Sequence, residues 1–151
     1  MTTAAHTAHS TTSRSPLRLG ATLVGATFLL VGVLGFVPGI TTNYDDLRFA
    51  GHESGALLLG LFQVSVLHNL VHFLYGVVGV AMARRAGTAK AYLLWGGVVY
   101  LVLFAYGTVI GHDTAANFVP LNSADNFLHL GLGLGMIALA LVLSRLQRTT
   151  R

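Results

Sequence analysis

The sequence predicts an all-α membrane protein, a four-transmembrane-helix bundle made of two repeated helical hairpins. Hydrophobic residues make up 54% of the 151 residues and charged residues only 9%, whereas soluble proteins carry roughly 25% charged residues. Four apolar stretches approach or exceed the roughly 20 residues that a helix needs to cross a bilayer. The few charges cluster between these stretches. A soluble four-helix bundle would need polar outer faces, which the first and fourth stretches lack.

The predicted spans cover about residues 17–37, 56–83, 91–110 and 126–143. Pro38 and Gly39 end the first span, because this pair does not continue a helix. Ser144 and Arg145 end the fourth. Residues 1–16 are predicted to form a disordered cytoplasmic tail, and residues 144–151 a basic cytoplasmic tail.

The distribution of charge predicts the orientation in the membrane. Eight of the nine basic residues lie before span one, between spans two and three, or after span four, and Arg48 is the exception. The acidic residues fall on the opposite side or at its edge: Asp45, Asp46, Glu53, Asp113 and Asp125. The positive-inside rule then places both termini in the cytoplasm of a bacterial cell, with the chain in its cytoplasmic membrane. The first apolar stretch is long enough to span, so we interpret it as a helix and not as a cleaved signal peptide.

An internal repeat joins the two halves of the chain. The pattern polar-Asn-x-x-His, with Gly four residues later, occurs at His68–Gly76 and again at Asp125–Gly133. A second match relates span one to span three, through Gly25, Phe28 and Gly35 in the first and Gly97, Tyr100 and Gly107 in the second. Repeats with an even number of spans are parallel, so the hairpins are predicted to be related by a pseudo-two-fold axis along the membrane normal.

Polar residues inside the spans form the candidate intramembrane polar site. They are His68, Asn69, His72, Asp125, Asn126 and His129. Such residues are costly in lipid and are treated as functional by default. The simpler alternative is that they join helices through hydrogen bonds, which average about 0.6 kcal/mol each. Asp125 also suits a cap at the N-terminus of span four.

Three kinds of ligand suit this polar set. His72 and His129 are the candidate cofactor-binding residues, as axial ligands of haem b, with His68 as a substitute. Alternatively, the histidines and Asp125 exchange protons with a quinone or another lipid-soluble substrate, or hold a transition-metal ion. The chain has no cysteine, so thiolate sites are excluded. The outer-loop pairs His52-Glu53 and His112-Asp113 are weaker metal candidates.

Glycine pairs predict where helices approach closely. Gly35-xxx-Gly39, Gly107-xxx-Gly111 and Gly131-xxx-Gly135 have the small-xxx-small spacing of close helix contacts. These contacts are expected within the bundle or between copies of the chain.

Three segments carry a resemblance to a known family: Gly32–Thr42, Gly51–Gly79 and Asn117–Met136. Through them the chain resembles a bacterial family of small four-span membrane proteins described as a domain of unknown function (family 4383), over roughly residues 17–143. In general plan it is also similar to DoxX-type four-helix membrane proteins. The resemblance implies the fold and the membrane location, and it implies neither an activity nor site residues.

The sequence shows no catalytic constellation, so we predict a non-catalytic accessory or structural membrane component, without a required cofactor and with no catalytic residues. The expected partners are the lipid bilayer and either further copies of the chain or a larger membrane complex. Nucleic acid is excluded, because the basic residues behind the net charge of +4 flank apolar spans and form no patch of their own. The alternatives are a redox or ligand-binding protein that uses the His/Asn cluster, and a small transporter that acts as an oligomer.

Overall fold

The computed structural model describes residues 15–149 and is mostly helical. Most of the N-terminal tail, including His6 and His9, lies outside the described residues, as do the last two residues. The helices are α1 (Pro16–Leu34), α2 (Val66–Met82), α3 (Ala86–Val109) and α4 (Ser123–Thr149). Three short strands, β1 (Thr41–Thr42), β2 (Leu57–Leu58) and β3 (Phe62–Gln63), form an antiparallel sheet in the order β1-β2-β3 between α1 and α2. A 3-10 helix at Tyr44–Asp46 follows β1.

Three of the four helices, α1, α3 and α4, are long and apolar enough to cross a membrane, and α2 is a shorter apolar helix. Their large apolar side chains point largely away from the protein: Leu23 is 59% exposed, Val102 62% and Leu134 56%. A water-soluble protein does not expose apolar surface on this scale. The outward faces of the helices are therefore suited to contact with lipid.

The second predicted span is shorter in the structure than the sequence suggested. Residues 56–65 are not helical: residues 57–63 form β2, β3 and the turn between them, in which Leu59 and Gly60 have φ angles of 55° and 69°. Two successive left-handed residues cannot belong to an α-helix. Ser65 then begins α2 as its N-cap, with its side chain accepting a hydrogen bond from the backbone N–H of His68 at 3.1 Å.

The other helices differ from the predicted spans at their ends. α1 ends at Leu34, three residues before the predicted boundary, and α3 begins at Ala86, directly after the basic pair Arg84-Arg85. α4 continues to Thr149, so most of the predicted basic tail is helical. Hydropathy marks the apolar part of a helix, whereas the hydrogen-bonded turns continue into the flanking polar residues.

Helix α1 packs along α2, and α3 packs along α4. Glycines allow this close approach: a Cβ atom on Gly25 would lie 2.8 Å from the backbone nitrogen of Val80, and one on Gly97 would lie 2.7 Å from the carbonyl oxygen of Gly133. The two pairs then meet around a core that includes Phe28, Tyr92, Leu93, Tyr100 and Met136.

The predicted small-xxx-small pairs are only partly the contact points. Gly35 and Gly107 make close contacts, each with an asparagine side chain. Apart from their own stretch of helix, no atom of residues 15–149 lies within 4 Å of the position of a Cβ on Gly131 or Gly135. They instead line a crevice of about 350 Å³ between α1 and α4.

Replacing Gly25 by Ala should disrupt the contact between α1 and α2, because backbone atoms of α2 cannot move aside for the added methyl group. We expect the free energy of unfolding in detergent to fall by about 1–3 kcal/mol. The matched control is Gly135→Ala, where space is open and the better helix propensity of Ala should add up to about 1 kcal/mol. Equal effects of the two substitutions on thermal unfolding would contradict this packing.

Candidate functional site

The six residues of the predicted polar site are all buried, near the N-terminal ends of α2 and α4. Their exposed fractions range from 1% for Asn69 to 8% for His72. They comprise three histidines, two asparagines and one aspartate. Each of these three residue types has different neighbours in the structure.

The three histidines form one cluster, the His cluster, made of His68, His72 and His129. One ring nitrogen from each residue lies within 4.8 Å of those of the other two. His68 and His72 are one turn apart on α2, with ring centroids 4.5 Å apart at 72°. His129 faces them from α4. The cluster therefore joins the two helix pairs.

The histidine rings have unsatisfied hydrogen-bonding atoms. Nδ1 of each of the three rings is buried and has no hydrogen-bond partner among the described residues. A buried polar atom without a partner costs about 1–3 kcal/mol, so three of them in one place need an explanation. Separately, the convergence of one nitrogen from each of three neutral imidazoles is suited to binding a transition-metal ion.

Aromatic rings from α1, α2 and α3 lie next to the His cluster. Phe28 lies against His72 with centroids 5.6 Å apart, and Tyr100 lies against His129 at 5.1 Å. Tyr75 fills the space between these rings, in edge contact with both Phe28 and Tyr100. The sequence reasoning missed Phe28 and Tyr75 as neighbours of the site. The signal for Tyr75 was its position three residues after His72, on the same helical face.

The two asparagines lie outside the cluster and make helix contacts. The Asn126 side chain donates a hydrogen bond from Nδ2 to the carbonyl oxygen of Gly107 at 2.9 Å. Asn69 packs its side chain against Gly35 in the corresponding place on the other pair. These positions suit the packing role that the sequence left open for asparagine.

Asp125 belongs to the cap of α4. Its Oδ2 accepts a hydrogen bond from the backbone N–H of Asn122 at 3.0 Å, and the Asn122 side chain accepts one from the Asp125 N–H at 3.0 Å. This reciprocal arrangement is a capping box. Oδ2 also accepts a hydrogen bond from the backbone N–H of Gln63 at 3.0 Å, which ties α4 to β3.

The loops cover the His cluster on the side away from the α2–α3 connection. The backbone N–H of Gly51 donates to the carbonyl oxygen of Phe118 at 2.6 Å, and the Asn122 side chain donates to that of Leu61 at 2.8 Å. Beneath this cover, a cavity of about 180 Å³ is lined by Leu58, Phe62 and Val64 together with the three histidines and Asp125. A second cavity, of about 130 Å³, touches the same histidines from the side of Tyr100 and Phe118.

The weaker metal candidates in the outer loops stay apart from this site. Glu53 and Asp113 are exposed, and His52 and His112 are half-buried. Within residues 15–149, neither pair belongs to a group of three ligand side chains close enough to hold an ion. Their backbone carbonyls instead accept hydrogen bonds from Gln63 and Asn117.

Replacing Asn122 by Ala should weaken the start of α4 and its link to the loop at Leu61. We expect a loss of about 0.5–2 kcal/mol in the free energy of unfolding, because the N-cap acceptor is removed. Ser123→Ala, at the neighbouring exposed position, should change it by less than about 0.5 kcal/mol. Chemical unfolding in detergent checks both values, and a neutral Asn122→Ala variant would rule out the cap as a stabilising feature.

Comparison with known proteins identifies the family. No curated protein and no solved structure matches the chain. The family model described as Domain of unknown function (DUF4383) matches residues 18–142, a region that contains every residue of the His cluster and Asp125. The chain therefore belongs to the family Domain of unknown function (DUF4383).

Proposed function

We propose that this protein binds one transition-metal ion within the membrane through His68, His72 and His129. The observation that carries the proposal is the convergence of three buried ring nitrogens within 4.8 Å of one another. Imidazole is a common ligand for zinc, iron, copper and nickel. The ion would bind one ring nitrogen of each of the three imidazoles.

The distances in the His cluster suit an ion of this kind. Metal–nitrogen bonds of about 2.0–2.1 Å place two nitrogens of a tetrahedral site roughly 3.3 Å apart. The nitrogens in the cluster lie within 4.8 Å, so rotations of the side chains would bring them to ligating distance.

A bare ion suits this space better than haem b. The cavities beside the cluster measure about 180 and 130 Å³, and binding sites for organic ligands are usually roughly 300 Å³ or more. A haem between His72 and His129 would also have to displace His68, which lies close to both. The crevice between α1 and α4 is larger, but His72 is the single histidine among its described lining residues.

We further propose that α2 crosses the membrane with the other three helices, and that the two pairs are repeated hairpins. The contacts of the two pairs support the repeat, because they occur at equivalent positions. Gly25 meets Gly76 as Gly97 meets Gly133, and Gly35 meets Asn69 as Gly107 meets Asn126. Phe28 meets His72 as Tyr100 meets His129. With an even number of spans, both termini lie on the cytoplasmic side, as the positive-inside rule requires.

Purified protein that has never met a chelator should contain about one transition-metal ion per chain, measured by elemental analysis. His72→Leu and His129→Leu should lose the ion, whereas His112→Leu, which changes an outer-loop histidine, should retain it. Because Leu removes an unpaired polar atom, the metal-free variants should unfold at temperatures close to that of the metal-free wild type. If the wild-type protein neither contains an ion nor takes up Zn²⁺ or Co²⁺, the metal site is refuted and the histidines have a packing role. A Soret band in its absorption spectrum would show that the bound group is haem and not a bare ion.

The proposed orientation is tested by labelling, since the chain has no cysteine. A membrane-impermeant maleimide added to intact cells should label Ala115→Cys, in the loop between α3 and α4. It should label Gly87→Cys, beside Arg84 and Arg85, only after the membrane is permeabilised. Both positions are exposed. The opposite pattern would reverse the orientation, and labelling of both in intact cells would exclude four spans.

A further inference from the structure

We propose that Asp125 acts in the metal site without ligating the ion directly. Its Oδ1 atom accepts a hydrogen bond from a water molecule that is bound to the ion. The site is then of the open kind, with three histidine ligands and one exchangeable position, and it selects divalent cations. This inference rests on the proposed metal binding and adds to it the class of ion and the coordination of the site.

The first argument is the spacing of the residues in the two helices. α2 presents His68 and His72 four residues apart, and α4 presents Asp125 and His129 with the same spacing. The equivalent contacts of the two helix pairs place Asp125 where the repeat places His68. The site therefore takes two groups from each pair, and one of the four is a carboxylate.

The second argument is the environment of the carboxylate. Asp125 is 2% exposed and lines the same 180 Å³ cavity as the three histidines. Its hydrogen bonds from Gln63 and Asn122 both end on Oδ2. Oδ1 accepts no hydrogen bond from any of the residues 15–149. One oxygen thus fixes the side chain, and the other is available to a further hydrogen-bond donor.

The third argument concerns distance. Asp125 does not belong to the group of ligand atoms that lie within 4.8 Å of one another, so it is placed to act one shell farther out. Metal sites with three protein ligands commonly keep a water in the fourth position, and a cavity of this size accommodates one. A carboxylate that accepts a hydrogen bond from such a water positions it and offsets the charge of the ion.

The charge of Asp125 determines which ion is favoured. A divalent ion bound to three neutral imidazoles keeps its full charge in an apolar setting, where an uncompensated charge is costly. The carboxylate reduces the net charge by one. A monovalent Cu⁺ ion held by three imidazoles gains less, because it carries half the charge and needs no bound water for Asp125 to hold. Divalent ions therefore depend on Asp125 more strongly than Cu⁺ does.

The test is the affinity of metal-free, full-length protein in detergent for Co²⁺ and for Cu⁺. Asp125→Asn keeps an oxygen that can accept the backbone hydrogen bonds but removes the charge. We expect its affinity for Co²⁺ to fall about 10–100-fold and its affinity for Cu⁺ to fall by a clearly smaller factor. Asp113→Asn is the matched control, since it removes an exposed outer-loop carboxylate, and it should change neither affinity.

The outcomes separate this inference from the metal site itself. Equal Co²⁺ affinities of Asp125→Asn and wild type would overturn the role of Asp125 and leave the His cluster intact. An equal loss for Co²⁺ and Cu⁺ would overturn it as well, because it would mark Asp125 as a purely structural residue. Failure of wild-type protein to bind either ion would refute the metal site.

A second measurement needs no variant, and so it remains decisive if Asp125→Asn does not fold. Azide added to the Co²⁺-loaded wild type should displace the coordinated water and shift the visible absorption bands of the ion. Bands that do not respond to azide would show that the fourth position is closed, and would overturn the open site.

Discussion

The close approach of α1 to α2 and of α3 to α4 is the constraint on which the rest of the structure depends. In lipid, apolar side chains gain nothing by leaving the solvent for one another, so helices associate through tight packing and a few polar contacts. Gly25 and Gly97 allow that packing because backbone meets backbone there. Once these contacts set the register, the asparagines reach Gly35 and Gly107. The three histidines meet at the boundary between the two pairs.

The polar groups of this small core differ in how completely they are satisfied. The Asp125 carboxylate and the Asn126 side chain each have hydrogen-bond partners. Among residues 15–149, Nδ1 of each ring in the His cluster is unpaired, as are Nδ2 of Asn69 and Oδ1 of Asn126. The asparagines differ from the histidines in position, because each packs against a glycine within its own helix pair, whereas the three imidazoles converge between the pairs. This difference in position is the physical reason for assigning the asparagines to packing and the histidines to a ligand.

Much of this arrangement was accessible from the sequence, because apolar length and charge position report directly on the environment of a helix. The predicted site residues followed from one rule, that polar groups in apolar spans are costly, and the structure buries all of them. Residues 56–65 were wrongly assigned to a helix, because that prediction was based on apolar length. Hydropathy treats Leu57, Leu59 and Leu61 as residues of an apolar helix and contains no information on backbone angles. In the structure, Leu59 and Gly60 adopt left-handed backbone angles. The spacing of Gly131 and Gly135 likewise indicates a small-residue face on α4. It does not indicate whether another helix packs against that face.

The small sheet also changes how this protein meets its bilayer. With 17 residues, α2 is about 26 Å long at 1.5 Å per residue, which is shorter than a hydrocarbon core of about 30 Å. Leu59 and Leu61, at the turn between β2 and β3, are 66% and 53% exposed and continue the apolar surface beyond the end of the helix. Strand pairing satisfies much of the backbone of this segment, as any chain near hydrocarbon requires. In the proposed four-span arrangement, the exposed apolar hairpin turn would make up for the short length of α2, in place of an extra helical turn.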